Sequence, residues 1–308
     1  MSTKMNFNDF KKKVMEDLTC RLRSEGFPVQ LITCTLPVNN GILEEKIEIR
    51  CIGRNISPCV PIRTFYSIYM HGENYDAIID KIVSFIKDNF KKPEFPANKQ
   101  KIEENFERNI YFRLINADLN KELLSQVPHR MIDGLDLAVT YRIRLNLDDD
   151  GAASFIIKNN EYGYSEEELY RMAMKNTPII YETMFVSLCD FLVARGYIDV
   201  SGIIDNENIL YVLTNKHDID GAAVILYPGC LERVSKKMED IYGTGDFYML
   251  PSSIHEMMIS TCQTNFTERE LADFVCSANR LVVSERERLS NNLYRYRKST
   301  GKLEIVRV

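Results

Sequence analysis

Two strand-like runs, Val29 to Val38 and Leu43 to Ile52, are separated only by Asn39-Asn40-Gly41, residues that tolerate the positive φ of a tight reversal. So short a connection permits antiparallel pairing alone, because a parallel pair needs a crossover of roughly a dozen residues. In the second run Ile47, Ile49 and Cys51 alternate with Glu48 and Arg50, so one face meets a core and the other meets water. The apolar face needs a cover, and amphipathic segments on either side can supply it. Phe7, Phe10, Val14, Leu18 and Leu22 share a helical face that ends at Gly26-Phe27-Pro28, while Ser57 to Pro61 breaks the strand pattern. After a short segment around Phe65 and Tyr69, Tyr75, Ile78, Ile79, Ile82, Val83 and Ile86 mark a second amphipathic helix.

The same layout, a hairpin followed by a helix, is expected twice more. Leu135 to Leu147 and Ala153 to Ile157 flank an Asp148-Asp149-Asp150-Gly151 turn. Ser165 with Glu168 then forms a capping box for a helix that buries Leu169, Met172 and Ala173 and closes at Asn176-Thr177-Pro178. A helix carrying Tyr181, Met184, Phe185, Leu188 and Leu192 inward stops at Gly196. Ile209 to Leu213 and Gly221 to Tyr227 give the third hairpin, followed by a helix burying Leu231, Val234 and Met238. Thr267 and Glu270 cap a helix burying Leu271, Phe274 and Val275, and a last hairpin turns at Ser299-Thr300-Gly301. The repetition is of layout, not of sequence. It implies an α+β fold of mainly antiparallel sheets from successive hairpins, each backed by helices. Lys91-Lys92-Pro93-Glu94-Phe95-Pro96, with two prolines among charges, reads as a linker. It divides the chain into an N-terminal α+β domain, 1–95, and a main α+β domain, 96–308.

Several function classes are disfavoured by what the chain lacks. No run approaches the roughly 18 apolar residues of a membrane span, and the lysines near the N-terminus precede no apolar signal core, so a cytoplasmic protein is expected. The 8 cysteines include no pair at the C-x-x-C to C-x-x-x-x-C spacing of zinc or redox motifs and read as reduced, core-type residues. A net charge of −5 disfavours nucleic acid. The exception is the C-terminal run of Arg286, Arg288, Arg295, Arg297, Lys298 and Lys302, which reads as a solvated face.

Reactive residue types gather most densely in Phe247-Tyr248-Met249-Leu250-Pro251-Ser252-Ser253-Ile254-His255-Glu256. His255-Glu256 begins like a zincin helix, but position 259 is Ile where a second histidine is required. Gly243-Thr244-Gly245 lacks the third glycine of a dinucleotide fingerprint. Ser252 or Ser253 with His255 could pair nucleophile and base, with Glu256 as orienter, although the glycines of a nucleophile elbow are missing. The architectural alternative is a strand stopped by Pro251, serines bonding turn amides, and His255 bonding a neighbouring carbonyl or carboxylate. Asp148-Asp149-Asp150-Gly151 lacks the alternation and distal glutamate of a calcium loop, so neither metal nor cofactor is expected. Tyr162-Gly163-Tyr164, before the capped helix, offers a recognition surface with His129 and Ser252 as further candidates.

A set of segments resembles an uncharacterised bacterial family, a domain of unknown function common in Firmicutes. They are Tyr111-Phe112-Arg113-Leu114-Ile115-Asn116, Val127-Pro128-His129, Leu135-Asp136-Leu137-Ala138, Asn176-Thr177-Pro178, Leu213-Thr214-Asn215, Gly221-Ala222-Ala223 and Leu250-Pro251-Ser252-Ser253-Ile254-His255-Glu256. Leu289-Ser290-Asn291, Tyr294 and Tyr296 extend the resemblance, which runs from about residue 105 to 297. It implies a bacterial cytoplasmic protein and carries over no catalytic residue, and a more distant likeness of layout to the YtpQ-like proteins adds no role. Three readings follow. The first is a non-enzymatic protein binding a small molecule or a protein near Tyr162–Ser165 and the Leu250–Glu256 stretch. The second is a hydrolase-like enzyme centred on Ser253, His255 and Glu256. The third is nucleic-acid association through the basic tail.

Overall fold

Val29–Pro37 (β1) and Leu43–Cys51 (β2) pair antiparallel, with Val29 opposite Cys51 and Pro37 opposite Leu43. The reversal uses positive φ at Asn40 (65°) and Gly41 (67°), as the Asn-Asn-Gly sequence predicts. The structure, a computed structural model, describes residues 4–53, 57–91, 105–147, 151–196 and 210–308. It comprises two compact units. The first is Met1–Val38, Ile42–Glu104 and Leu145–Ala153; the second is Asn39–Gly41, Asn105–Arg144 and Ser154–Val308. The linker expected over Lys91 to Pro96 lies, from residue 92 onward, outside the described residues, as do Asp148-Asp149-Asp150 and Ile209.

In the first unit Cys59–Pro61 (β3) adds a third strand where the sequence showed only a break, giving the order β1-β2-β3. Phe7–Ser24 (α1) begins at Asn6, whose Oδ1 accepts from Asp9 N at 3.0 Å. Ile62–Met70 (α2) and Tyr75–Lys91 (α3) complete the helices. Phe10, Val14 and Leu18 of α1 meet Ile47 and Ile49 of β2 and Ile78 and Ile82 of α3 in one buried cluster. Each such side chain contributes about 1.5–3 kcal/mol by leaving water.

The second unit holds two antiparallel sheets. Ile110–Asn116 (β4), His129–Met131 (β5), Leu137–Leu147 (β6) and Gly151–Ile156 (β7) form one, with β4 on one side of β6 and β5 on the other. The other runs β13-β12-β10-β11-β9-β8. Its strands are Thr183–Ser187 (β8), Tyr211–Asn215 (β9), Phe247–Leu250 (β10), Met257–Thr261 (β11), Tyr294–Arg297 (β12) and Lys302–Ile305 (β13). Helices Lys121–Gln126 (α4), Glu166–Ile180 (α5), Leu188–Val193 (α6), Cys230–Tyr242 (α7) and Glu268–Leu281 (α8) lie between strands in the chain. Both expected capping boxes are present, Ser165 with Glu168 and Thr267 with Glu270. The architecture is therefore the α+β arrangement that the hairpins imply. Among the described residues no helix is long and apolar enough to cross a membrane.

Four local expectations are corrected. The helix expected from Tyr181 is instead β8 followed by the short α6, because Thr183–Ser187 pairs with Tyr211–Asn215 and β-branched and aromatic side chains suit that role. Gly221–Leu226 is a 3-10 turn rather than a strand, so the third hairpin is absent and β9 pairs with β8 and β11. α5 continues two residues past Pro178. Its end lies along the outer edge of β4, where Thr177 Oγ1 accepts from Phe112 N (3.2 Å) and Asn176 Nδ2 donates to Ile110 O (3.1 Å). Those bonds occupy backbone groups that an edge strand leaves open. Phe274 is 48% exposed, stacked edge-on against Phe266 rather than buried.

Candidate functional site

β10 ends at Pro251, and the chain from Pro251 to Ile254 then lies against Glu287–Ser290. Pro251 O and Ser252 O accept from Ser290 N (2.9 Å) and Leu289 N (3.1 Å), and Ile254 N donates to Glu287 O (2.8 Å). Ser253 is buried at the bridge to Arg288. Its Oγ accepts from His255 N at 3.0 Å. His255 bonds at both ends, since Thr214 Oγ1 donates to its carbonyl (2.7 Å) and Asp220 N donates to its Nδ1 (3.2 Å). Among the described residues the Ser253 hydroxyl bonds within its own turn and makes no bond to the imidazole. Burial pushes the Glu256 carboxyl above its ordinary range; the Ser253 hydroxyl and His255 oppose that, while Asp218 and Glu287 add to it.

The approach at this turn is close. Asp220 holds a left-handed φ of 53°, and Gly221 follows it with no room for a side chain against Thr214 and His255. Asp220 Oδ1 lies 3.0 Å from Arg113 Nε, which joins β4 to the turn by an ion pair. A second buried network centres on Asp136, which accepts from Tyr294 (2.5 Å), Ser290 (2.7 Å) and Asn116 (3.1 Å) and so ties the two sheets of the unit together.

His129, Tyr162 and Tyr164 are brought together elsewhere. β5 and β7 both lie beside β6, His129 opposite Thr140 and Ile157 N donating to Tyr141 O (3.0 Å), and a cavity opens where the two short strands meet. It measures about 440 Å³. Leu124, Val127, Ile157 and Leu169 give it apolar walls, and His129, Lys158, Tyr162, Tyr164 and Glu166 bring polar atoms to it. Phe106 fixes the tyrosine pair, with its ring centroid 4.5 Å from that of Tyr162 and 5.0 Å from that of Tyr164. His129 Nδ1 donates to Val127 O at 3.0 Å. Glu166 is clamped by Arg130, whose Nη2 lies 2.8 Å from Oε2, and by the Tyr141 hydroxyl. Burial alone would raise its pKa, but those bonds outweigh burial and hold the carboxyl below its usual range. Lys158 has no side-chain partner among the described residues.

Ser252, Ser253, His255 and Glu256 do not line this cavity, so the structure separates the candidates into two places. Lys158, Arg113, Asp220 and Asp136 were not singled out in the sequence. Arg113 carried a signal, as the lone charge in the apolar run Tyr111 to Ile115. All 8 cysteines are free, and burial pushes the thiols of Cys230 and Cys262 up to about 11, where they are poor nucleophiles. Among the described residues no group of three His, Cys, Asp or Glu side chains could hold a metal ion.

Fold and site together define an antiparallel α+β protein with a ligand-sized cavity at a sheet edge and a buried polar turn in the same unit. Residues 7–298 match a family of unknown function, DUF5688, and the chain belongs to that family. No curated protein and no solved structure shows a significant match.

Proposed function

We propose that this chain is a non-enzymatic binding protein of the bacterial cytoplasm whose small-molecule ligand occupies the cavity beside β5 and β7. One observation carries the reading: a concavity of about 440 Å³ gathers His129, a lysine ammonium with no side-chain partner among the described residues, and two tyrosines packed on Phe106, over apolar walls. Ligand cavities of roughly 300–1,000 Å³ with a few convergent polar groups are the usual form of such sites. The ligand suited to it has an apolar body with polar groups at its ends. The 8 free cysteines support a reducing compartment, and the family resemblance supports a bacterial source.

The bonds of Ser253 and His255 within their own turn support an architectural role for that patch. Nucleic acid is disfavoured because Arg286, Arg288, Arg295, Arg297 and Lys298 all have carboxylate partners. The test is a fragment library screened against the full chain by saturation-transfer NMR, repeated with Ser125→Trp, a rim substitution that fills the cavity. Fragments that bind the wild type should lose their signal in the variant while its melting temperature holds. Fragments that bind both proteins equally would sink the proposal.

A further inference from the structure

One face of the β4–β6 pair concentrates positive charge. Tyr111 stands opposite Arg142 and Arg113 opposite Thr140. Directly opposed and alternate residues share a face, so Tyr111, Arg113, Thr140, Arg142 and Arg144 lie together. Carboxylates do not match the guanidinium groups in number. Arg113 Nε lies 3.0 Å from Asp220 Oδ1 as an ion pair without hydrogen-bond geometry, 18% of the side chain is exposed, and both Nη groups are without a partner among the described residues. Among the described residues Arg142 bonds only neutral acceptors, Ser154 Oγ at 2.7 Å and Ser154 O at 3.3 Å. Arg144 lies over the Tyr181 ring at 5.6 Å, and its buried Nε has no partner among the described residues. Tyr111 and Tyr181 pack edge to face at 5.2 Å beside these groups, with the Tyr111 hydroxyl on Ser154 Oγ at 2.6 Å.

Among the described residues three positive groups thus face one directly paired carboxylate, that of Asp220. Glu287, whose charge reaches Arg113, has a cation of its own in Arg286. Burial lowers the Arg113 pKa and the charge of Arg142 adds to it, while Asp220, Tyr111 and Glu287 oppose the shift without cancelling it. An excess of about two positive charges suits a phosphate monoester, which carries about −1.5 to −2 at neutral pH and offers three acceptor oxygens. Guanidinium forks match that geometry. A single carboxylate would leave one charge unmet.

We propose that Arg113, Arg142 and Arg144 form a binding site for the phosphate group of a small phosphorylated molecule, distinct from the cavity beside β5 and β7. The site stands independently of the function proposed above. It is tested on the full chain by titration calorimetry at pH 8 with inorganic phosphate, phenyl phosphate and acetate at matched ionic strength. Phosphate and phenyl phosphate should bind saturably, and acetate should not. Arg144→Gln and Arg142→Gln should each weaken phosphate at least about tenfold through loss of charge-assisted bonds. Ligand-free melting of Arg144→Gln should stay close to wild type, because its Nε gives up no bond within the protein. Acetate binding as well as phosphate, or both variants binding like wild type, would overturn the site. A short single-stranded oligonucleotide that outcompetes phenyl phosphate would overturn the small-molecule assignment.

Discussion

Gly221→Ala is the sharpest probe of the turn that holds His255. A Cβ built there would sit 2.1 Å from Thr214 Oγ1, 2.3 Å from His255 O and 3.0 Å from Asn215 N. Ordinary carbon contacts lie near ~3.5 Å, so something must move by more than an ångström. Two of the three atoms are backbone, and Asn215 closes β9, which is paired on both sides by β8 and β11. The third, Thr214 Oγ1, could rotate away only by abandoning its 2.7 Å bond to His255 O. Overpacking costs about 1–3 kcal/mol and an orphaned buried acceptor about 1–3 kcal/mol more. The φ of Gly221 lies outside the left-handed region, so alanine also recovers about 0.4–1 kcal/mol from the unfolded chain. The net expectation is a loss of about 3 kcal/mol, or roughly 6–12 °C in melting temperature for a unit of this size. With 0 tryptophans and 16 tyrosines, unfolding is best followed by far-ultraviolet circular dichroism in urea. Gly134→Ala is the control: φ there is +74° with nothing within 4 Å, so only the left-handed penalty of about 1–2 kcal/mol applies. A Gly221→Ala protein within about 1 kcal/mol of wild type would refute the close-packing argument.

Glu256→Gln should change how stability responds to pH. Burial raises the folded-state pKa of Glu256, so its contribution is fully present below the unfolded glutamate value of about 4.3 and is lost as pH rises through the higher folded value. The variant should gain on wild type between pH 4 and pH 8 in urea denaturation, and parallel pH profiles would contradict this. Tyr294→Phe removes the 2.5 Å bond to Asp136 but leaves Ser290 and Asn116 donating. The expected loss is about 1.5 kcal/mol, the low end for a bond to a charged group. A thermal melt indistinguishable from wild type would count against Asp136 as the tie between the sheets.

Segments whose local chemistry and tertiary role agree were legible in the sequence. The β1–β2 hairpin, the two capping boxes and the β12–β13 turn each combine a specific turn or cap residue with a matching apolar pattern. Elsewhere short apolar runs carried no period of their own. Thr183–Ser187 fits a helical face as well as a strand, and pairing with Tyr211–Asn215 decides between them. Gly221–Leu226 is apolar like a strand, yet the Asp220–Gly221 step turns the chain out of the sheet before it can pair.

The candidate site was less legible because residue type is a weak guide to where a side chain's bonds go. Ser253 and His255 look reactive, yet a segment leaving a sheet at Pro251 has backbone groups that no strand neighbour serves, and these side chains bond the turn's amides. Their density in the sequence measures the demand of that turn. Arg113 gives the opposite lesson. A guanidinium among Tyr111, Phe112, Leu114 and Ile115 must meet a partner or be strongly disfavoured, and its position within a strand fixes which face that partner occupies. The position of Asp220, 107 residues away (220 − 113), could not be read from the chain, but the need for it could. Arg142-Ile143-Arg144 extends the argument: alternate charges on a strand whose intervening residue is buried must share one face, and the described carboxylates there are fewer than the arginines. Charge that interrupts an apolar strand therefore points to recognition more directly than clustered serine and histidine.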